Sequence, residues 1–283
     1  MVTALLVATL AATALGTLAT HRAVRRSRAR RSVVAVGPPP PPGVDEEREA
    51  LLEVVGDTIL ERLGDDGLWL PDGRTVETMY APLETVGGDF LGTLEVDGDA
   101  VALIGDVAGH GIDAALVALR VKEAVTEAIA AGASLEEAMG TGNDALRAGA
   151  ADFATMFACR LDAEGRLTFV NAGHVPPLVI DGAPPDDLQP TGPLLGAFEH
   201  RYDEAEVDLE PGARLLAFTD GVTEAFGARG GLTEGEIRAA VAEPHRLDDL
   251  RRAVLGKRPD PVRDDIAAFE LTTGGAQEDP PHG

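Results

Sequence analysis

Five aspartates stand at the ends of apolar runs, and their type and placement point to one kind of chemistry. Asp89 closes "VGGD", Asp106 lies in "LIGDV", Asp220 follows "LLAFT", and Asp264 and Asp265 precede "IAAFEL". Oxygen-only sets of this kind suit Mg2+ or Mn2+, not zinc or copper. Two such ions can share a bridging carboxylate, lower the pKa of a bound water and stabilise in-line attack at phosphorus. Spacing alone does not make all five converge, but one pair carries a stronger signal. Asp97-Gly98 separates two apolar runs, and a type I′ turn needs positive φ at both central residues. With those two as the loop, Val96 pairs with Asp99, and Asp89 falls opposite Asp106. Directly opposed residues on one sheet face have Cβ atoms roughly 4.5–5.5 Å apart, where like charges destabilise. A divalent cation between the carboxylates reverses that sign. Against this stand a β-bulge, which would shift the register, and the ordinary preference of aspartate for turns and strand ends.

The elements that must position these residues follow from the pattern. "FLGTLEVDGDAVALIGDV" reads as a hairpin, and "GIDAALVALRVKEAVTEAIAAG" as an amphipathic helix with a stripe of Val117, Val121, Ala124, Val125, Ala128 and Ile129. "SLEEAMGTGNDALRAG" predicts a second helix, and "ATMFACRLDAEGRLTFVNAG" a second hairpin with "DAEG" as its loop. "PPLVID" and a Pro/Asp-rich loop follow, and "ARLLAFTDGVTEAF" is a strand running into a turn. "TEGEIRAAVAE" and "LDDLRRAVLG" look helical, and "DDIAAFEL" is the closing strand. Two long hairpins, a helical pair and further strands make an α+β layered domain. There is no βαβ alternation, no glycine-rich phosphate loop and no GxSxG elbow.

Charge narrows the partners. The chain of 283 residues carries a net charge of −24, but residues 1–43 hold six Arg and no acid. The remainder therefore has 18 Lys+Arg against 48 Asp+Glu. Such a body repels nucleic acid phosphates, so no nucleic acid partner is expected. The single cysteine, Cys159, excludes an intramolecular disulfide and a Cys-based zinc site, and its apolar run predicts a buried thiol.

Residues 1–21 open with an uncharged stretch long enough to cross a hydrocarbon core as a helix. The arginines of "HRAVRRSRARR" follow it, which under the positive-inside rule keeps the body in the cytoplasm, single-pass at the cell membrane. A cleaved signal peptide is the alternative. Residues 22–43 are an Arg-rich then Pro-rich linker ending in "GPPPPPG", an extended spacer. Residues 44–70 are expected as a linker helix with Leu52, Val55, Ile59 and Leu63 along one seam. That seam either docks on its own domain or pairs with a second copy as a homodimer. Residues 71–274 form the folded domain, and 275–283 a disordered tail.

Taken together, "PLETVGGDF", "GDVAGHGIDAAL", "FATMFACRLDAEGRLTFVNAGHVPPLVI", "PGARLLAFTDGVTEA" and "DDIAAF" closely resemble the SpoIIE/RsbU branch of the PPM metal-dependent protein serine/threonine phosphatases. The motifs run in order over most of the body. The resemblance implies a PPM-type β-sandwich of two antiparallel sheets flanked by helices in α-β-β-α layers, here preceded by the N-terminal transmembrane helix. It implies a site for two Mn2+ or Mg2+ ions, with Asp89 bridging them and Asp106 and the Val107 backbone carbonyl on one. Asp220 and Asp264 would hold the other, with Asp265 as the alternative, and Gly88 would let backbone approach. His110 in "GHG" would serve as acid or phosphate contact, or else stabilise its turn; His174 in "NAGHVPP" would be structural. Ile266-Ala267 replaces the usual Ile-Thr after the aspartate pair. The implied partner is a phosphorylated regulatory protein, a STAS-type anti-anti-sigma factor bearing phosphoserine or phosphothreonine. A helix like that at 44–70 commonly transmits an input in relatives by dimerising or rotating.

Overall fold

The structure is a computed structural model that describes residues 56–274, apart from 84, 149–152, 181–187, 225–233, 242–246, 248–249, 253 and 255–263. The expected membrane segment, the linker 22–43, the start of the linker helix and the tail 275–283 lie outside the described residues. Among the described residues no helix is long and apolar enough to cross a membrane.

In chain order the strands are β1 (Leu68–Trp69), β2 (Thr75–Ala81), β3 (Asp89–Val96), β4 (Asp99–Val107) and β5 (Ala154–Leu161). They continue with β6 (Arg166–Ala172), β7 (Leu178–Val179), β8 (Ala205–Asp208), β9 (Arg214–Phe218) and β10 (Ile266–Thr272). One antiparallel sheet has the order β1-β2-β10-β9-β7 and the other β3-β4-β5-β6-β8. The helices are α1 (residues 56–63), α2 (Gly111–Ala130), α3 (Leu135–Arg147), α4 (Asp220–Glu224) and α5 (Glu234–Val241).

Strand alternation divides the side chains between layers. Leu91, Ile104, Phe157 and Phe169 from the second sheet meet Leu215, Ala217 and Phe269 from the first in a core between the sheets. Phe157 centres this layer, 5.9 Å from Phe169 and 6.4 Å from Phe269 between ring centroids. The other face of the second sheet, with Phe90 and Leu103, packs on Val121, Val125, Ile129 and Met139 of α2 and α3. The outer face of the first sheet, with Leu216 and Phe218, is covered by Ile237, Leu247 and Leu250. These are the expected α-β-β-α layers.

Several local signals hold. Asp97 and Gly98 have φ of 56° and 88°, as a type I′ turn demands. The register then runs unbroken from Val96↔Asp99 to Asp89↔Asp106. Ser134 and Glu137 form a capping box at the start of α3, and Glu204 accepts from the Leu135 and Glu136 amides there. Of the α2 stripe, Val121, Val125 and Ile129 are fully buried, joined by Ala114, Ala115 and Ala118. Val117, Ala124 and Ala128 are only half-buried.

Two expectations change. The helical segment does not reach residue 70: it gives way after 63, and Leu68–Trp69 already pairs with β2. The seam of that helix is also partly spoken for. Ile59 and Leu63 are buried in the helix-side core with Val86 and Phe90, so these two dock on their own domain. Leu52 and Val55 lie outside the described residues.

Candidate metal centre

On β3 and β4, Leu91 and Ile104 face the core between the sheets, so Asp89 and Asp106, two residues along, share that face at the end of the sandwich. Both are buried, at 1% and 3% exposure. The structure thus places two carboxylates side by side in a dry layer, as the turn arithmetic requires.

The first sheet closes over them from across the layer. Thr219, just past β9, donates its hydroxyl to Asp89 Oδ2 at 2.7 Å and accepts the Ala267 amide at 3.0 Å. One hydroxyl therefore ties β9 and β10 to β3. Asp265 performs a similar service with its carboxylate: the Leu83 amide donates to Oδ1 and the Gly88 amide to Oδ2, both at 2.8 Å. Both oxygens are engaged in holding the segment that leads into Asp89. Asp264 stands beside it, half-buried, its Oδ1 accepting the Asp265 amide at 3.0 Å.

Glycines make this approach feasible. A Cβ on Gly88 would lie 2.4 Å from the Val107 carbonyl oxygen, and one on Gly87 would lie 1.9 Å from Asp265 Oδ2. The Val107 amide donates to the Gly88 carbonyl at 3.0 Å, which fixes the carbonyl of Val107 beside the paired aspartates.

The electrostatics are strained. Burial, and then the negative charges of Asp106, Asp265 and Asp264, hold the Asp89 carboxyl well above the usual carboxylate range. Burial, with the charges of Asp89 and Asp265, also pushes up the Tyr80 phenol, which stays neutral and donates to the Asp89 carbonyl at 3.0 Å. Four of the five aspartates are therefore brought within electrostatic range of one another. Asp220, the first residue of α4 and 8% exposed, joins through its neighbours. Thr219 bonds Asp89, and a Cβ on Gly221 would lie 1.7 Å from the Asp265 carbonyl oxygen. Among the described residues no three acidic or histidine side chains already stand as a ready metal cage. The donor chemistry nonetheless fits a hard divalent cation: buried carboxylates of like charge and a backbone carbonyl held close.

His110 is exposed, with extended backbone (φ −150°, ψ 165°), at the N-cap of α2, and its side chain does not cap the helix. His174 is buried; its Nδ1 lies 2.9 Å from the Thr155 hydroxyl and its amide donates to Asn171 Oδ1 at 2.8 Å. Sequence reasoning missed Thr219, Gly87, Gly221 and the holding role of Asp265. Their partners lie far along the chain, and only the "GG" and "TDG" clusters beside the aspartates marked the spot.

Residues 96–273 match the family model described as Stage II sporulation protein E (SpoIIE). The chain belongs to the SpoIIE family. Among relatives of this SpoIIE-family chain is the phosphoserine phosphatase RsbP of Bacillus subtilis, 28% identical over 163 residues, 54% of this chain and 40% of RsbP. The chain spans between about a third and two thirds of the length of the curated relatives it matches. The SiaA-PP2C domain of Pseudomonas aeruginosa shares the fold, with a TM-score of 0.63 at 20% identity over 81% of this chain and 98% of that one. So does the catalytic domain of the serine/threonine protein phosphatase PstP, solved with two manganese ions, at TM-score 0.52 and 16% identity over 70% and 96% of the chains.

Proposed function

We propose that the domain is a metal-dependent protein phosphatase that hydrolyses phosphoserine or phosphothreonine on a regulatory protein. The observation that carries this reading is the buried, in-register pair Asp89 and Asp106 at the end of the sandwich, with Asp264 and Asp265 beside it. Family membership, the activity named for RsbP and the ions in PstP support it.

Two Mn2+ or Mg2+ ions would supply an activated water and polarise the phosphoryl group for in-line attack. The chain's own residues do the holding. Asp89 is oriented from across the layer by Thr219, and Asp106 and the Val107 carbonyl sit on the adjoining strand. Asp264 is the better candidate for the second ion's ligand, because both oxygens of Asp265 accept backbone amides. Asp220 completes that side. His110, at the N-cap of α2 just past β4, would be available to an incoming phosphate, since the helix dipole favours an anion there.

The substrate we propose is a phosphorylated anti-anti-sigma protein of the STAS type, with residues 1–21 anchoring the chain in the cell membrane and the catalytic body in the cytoplasm. The full chain, purified in detergent, should release phosphate from an aryl phosphate and, far more efficiently, from such a phosphoprotein, only with Mn2+ or Mg2+ present. Deleting residues 2–21 should move it to the soluble fraction with that activity retained. A protein that binds the phosphoprotein but releases no phosphate with either metal would show a non-catalytic binding role instead.

A further inference from the structure

We propose that Tyr80 is a positioning residue for the metal centre: its phenol holds the main chain of Asp89 and so sets how the Asp89 carboxylate enters the site. The proposal rests on Asp89 being a metal ligand, and its test separates the two claims.

Register shows why the main chain of Asp89 needs such a partner. β3 is the outermost strand of its sheet. The Val107 amide donates to the Gly88 carbonyl at 3.0 Å, so Gly88 points its backbone oxygen at β4. In an antiparallel pair that role alternates along the strand, and Asp89 therefore turns its own N–H and C=O away from β4. The same alternation makes Asp89↔Asp106 the closer kind of pair, with the side chains drawn together. The outer side of β3 has no strand neighbour among the described residues, yet Asp89 is only 1% exposed. A buried carbonyl must find a donor, and the Tyr80 hydroxyl supplies it at 3.0 Å.

The phenol belongs to the same framework that grips the other end of Asp89. Tyr80 stands on β2 directly opposite Ala267 of β10. The Ala267 amide donates to the Thr219 hydroxyl at 3.0 Å, and the Ala267 carbonyl accepts the Thr219 amide at 3.0 Å. Thr219 then donates to Asp89 Oδ2 at 2.7 Å. One stretch of the first sheet thus holds Asp89 twice, Tyr80 by the backbone oxygen and Thr219 by the carboxylate. The ring itself is fixed. It packs against both apolar layers, and a Cβ on Gly64 would lie 3.6 Å from its Cδ1. Groups that orient a ligand from behind set metal affinity, and losing one costs about 10–100-fold.

The test uses the full chain, Mn2+ titration calorimetry and near-ultraviolet difference spectra. Tyr80→Phe keeps the ring and removes only the hydroxyl. It should weaken Mn2+ binding about 10–100-fold, while the chelated protein melts only slightly below wild type. A purely structural hydroxyl would instead lower the melting temperature and leave the Mn2+ affinity of the folded protein unchanged; that result overturns the proposal. The spectra are an independent readout. The chain has two tyrosines, Tyr80 and Tyr202, and the charges of Asp89 and Asp265 act on the Tyr80 phenol. Mn2+ should therefore shift the tyrosine band in wild type and in Tyr202→Phe, and not in Tyr80→Phe. A wild-type band that ignores bound Mn2+, or a shift that disappears in Tyr202→Phe, overturns the proposal. Asp89→Asn runs alongside. If it loses Mn2+ binding while Tyr80→Phe keeps wild-type affinity, the role of Tyr80 alone fails. If Asp89→Asn also keeps that affinity, the metal reading fails and takes the role of Tyr80 with it.

Discussion

Replacing Asp89 by Asn should stabilise the metal-free protein at neutral pH, although it destroys the proposed site. Asn is nearly isosteric, and its side-chain oxygen can still accept the Thr219 hydroxyl that now reaches Asp89 Oδ2 at 2.7 Å. What disappears is the charge. Two unit charges about 5 Å apart at an effective dielectric constant of about 20 repel by about 3 kcal/mol, and Asp264 and Asp265 add to the repulsion. For a domain of this size that corresponds to a rise in melting temperature of about 6–12 °C. The effect has a pH signature. The Asp89 carboxyl is held above its unfolded value, so its contribution to stability is present below that unfolded value and is lost as pH rises through the folded one. Wild type without metal should therefore weaken as pH rises through that range, and the gap to Asp89→Asn should open as it does. Adding Mn2+ reverses the order: at 100 times its dissociation constant the ion stabilises wild type by about 2.7 kcal/mol, and the variant gains little. Thermal melts in chelator and in Mn2+ across pH 4 to 8 read all of this. An Asp89→Asn protein less stable than wild type at every pH in chelator would refute the electrostatic reasoning.

Gly88→Ala would set a Cβ 2.4 Å from the Val107 oxygen, so the carbonyl must shift; Mn2+ affinity should fall at least about tenfold, read by calorimetry, with a stability loss of about 1–3 kcal/mol. Asp265→Asn should lower the melting temperature by loosening the Leu83 and Gly88 amides, whereas Asp264→Asn should leave it nearly unchanged and weaken Mn2+ binding instead. A reversal of that pair would move the ligand to Asp265. Ile59→Glu puts a charge into the helix-side core and should cost several kcal/mol in denaturant melts. Activity should fall only in proportion to folded protein. A stable Ile59→Glu protein with altered turnover would point to a signalling role for the helix.

The Asp89↔Asp106 pairing was legible because a two-residue Asp-Gly loop fixes the phase of a hairpin, and phase is all that residue counting needs. The hairpin of β1 and β2 was not. In β2 the buried residues are Val76 and Met79, which are three apart, so the strand lacks the alternation that marks one. Edge strand β8 alternates only between half-buried and exposed positions, and its short polar sequence looks like loop. The seam of the linker helix was visible, but an apolar stripe does not name what covers it; Ile59 and Leu63 turn out to face their own domain. The roles of Thr219 and Asp265 rest on contacts across 130 and 177 residues of chain, which no local pattern encodes. The same holds for the choice between Asp264 and Asp265, since they differ only in which way each carboxylate points.

The most direct test of the account is phosphate release from a phosphoserine protein, measured for the full chain and for Asp89→Asn and Asp220→Asn while Mn2+ is titrated from a chelated start. An amide cannot supply the anionic oxygen that a hard cation needs. Wild type should show saturable, metal-dependent release, and neither folded variant should release phosphate at any Mn2+ concentration. Wild-type release by either variant, or release by wild type in chelator, would contradict it.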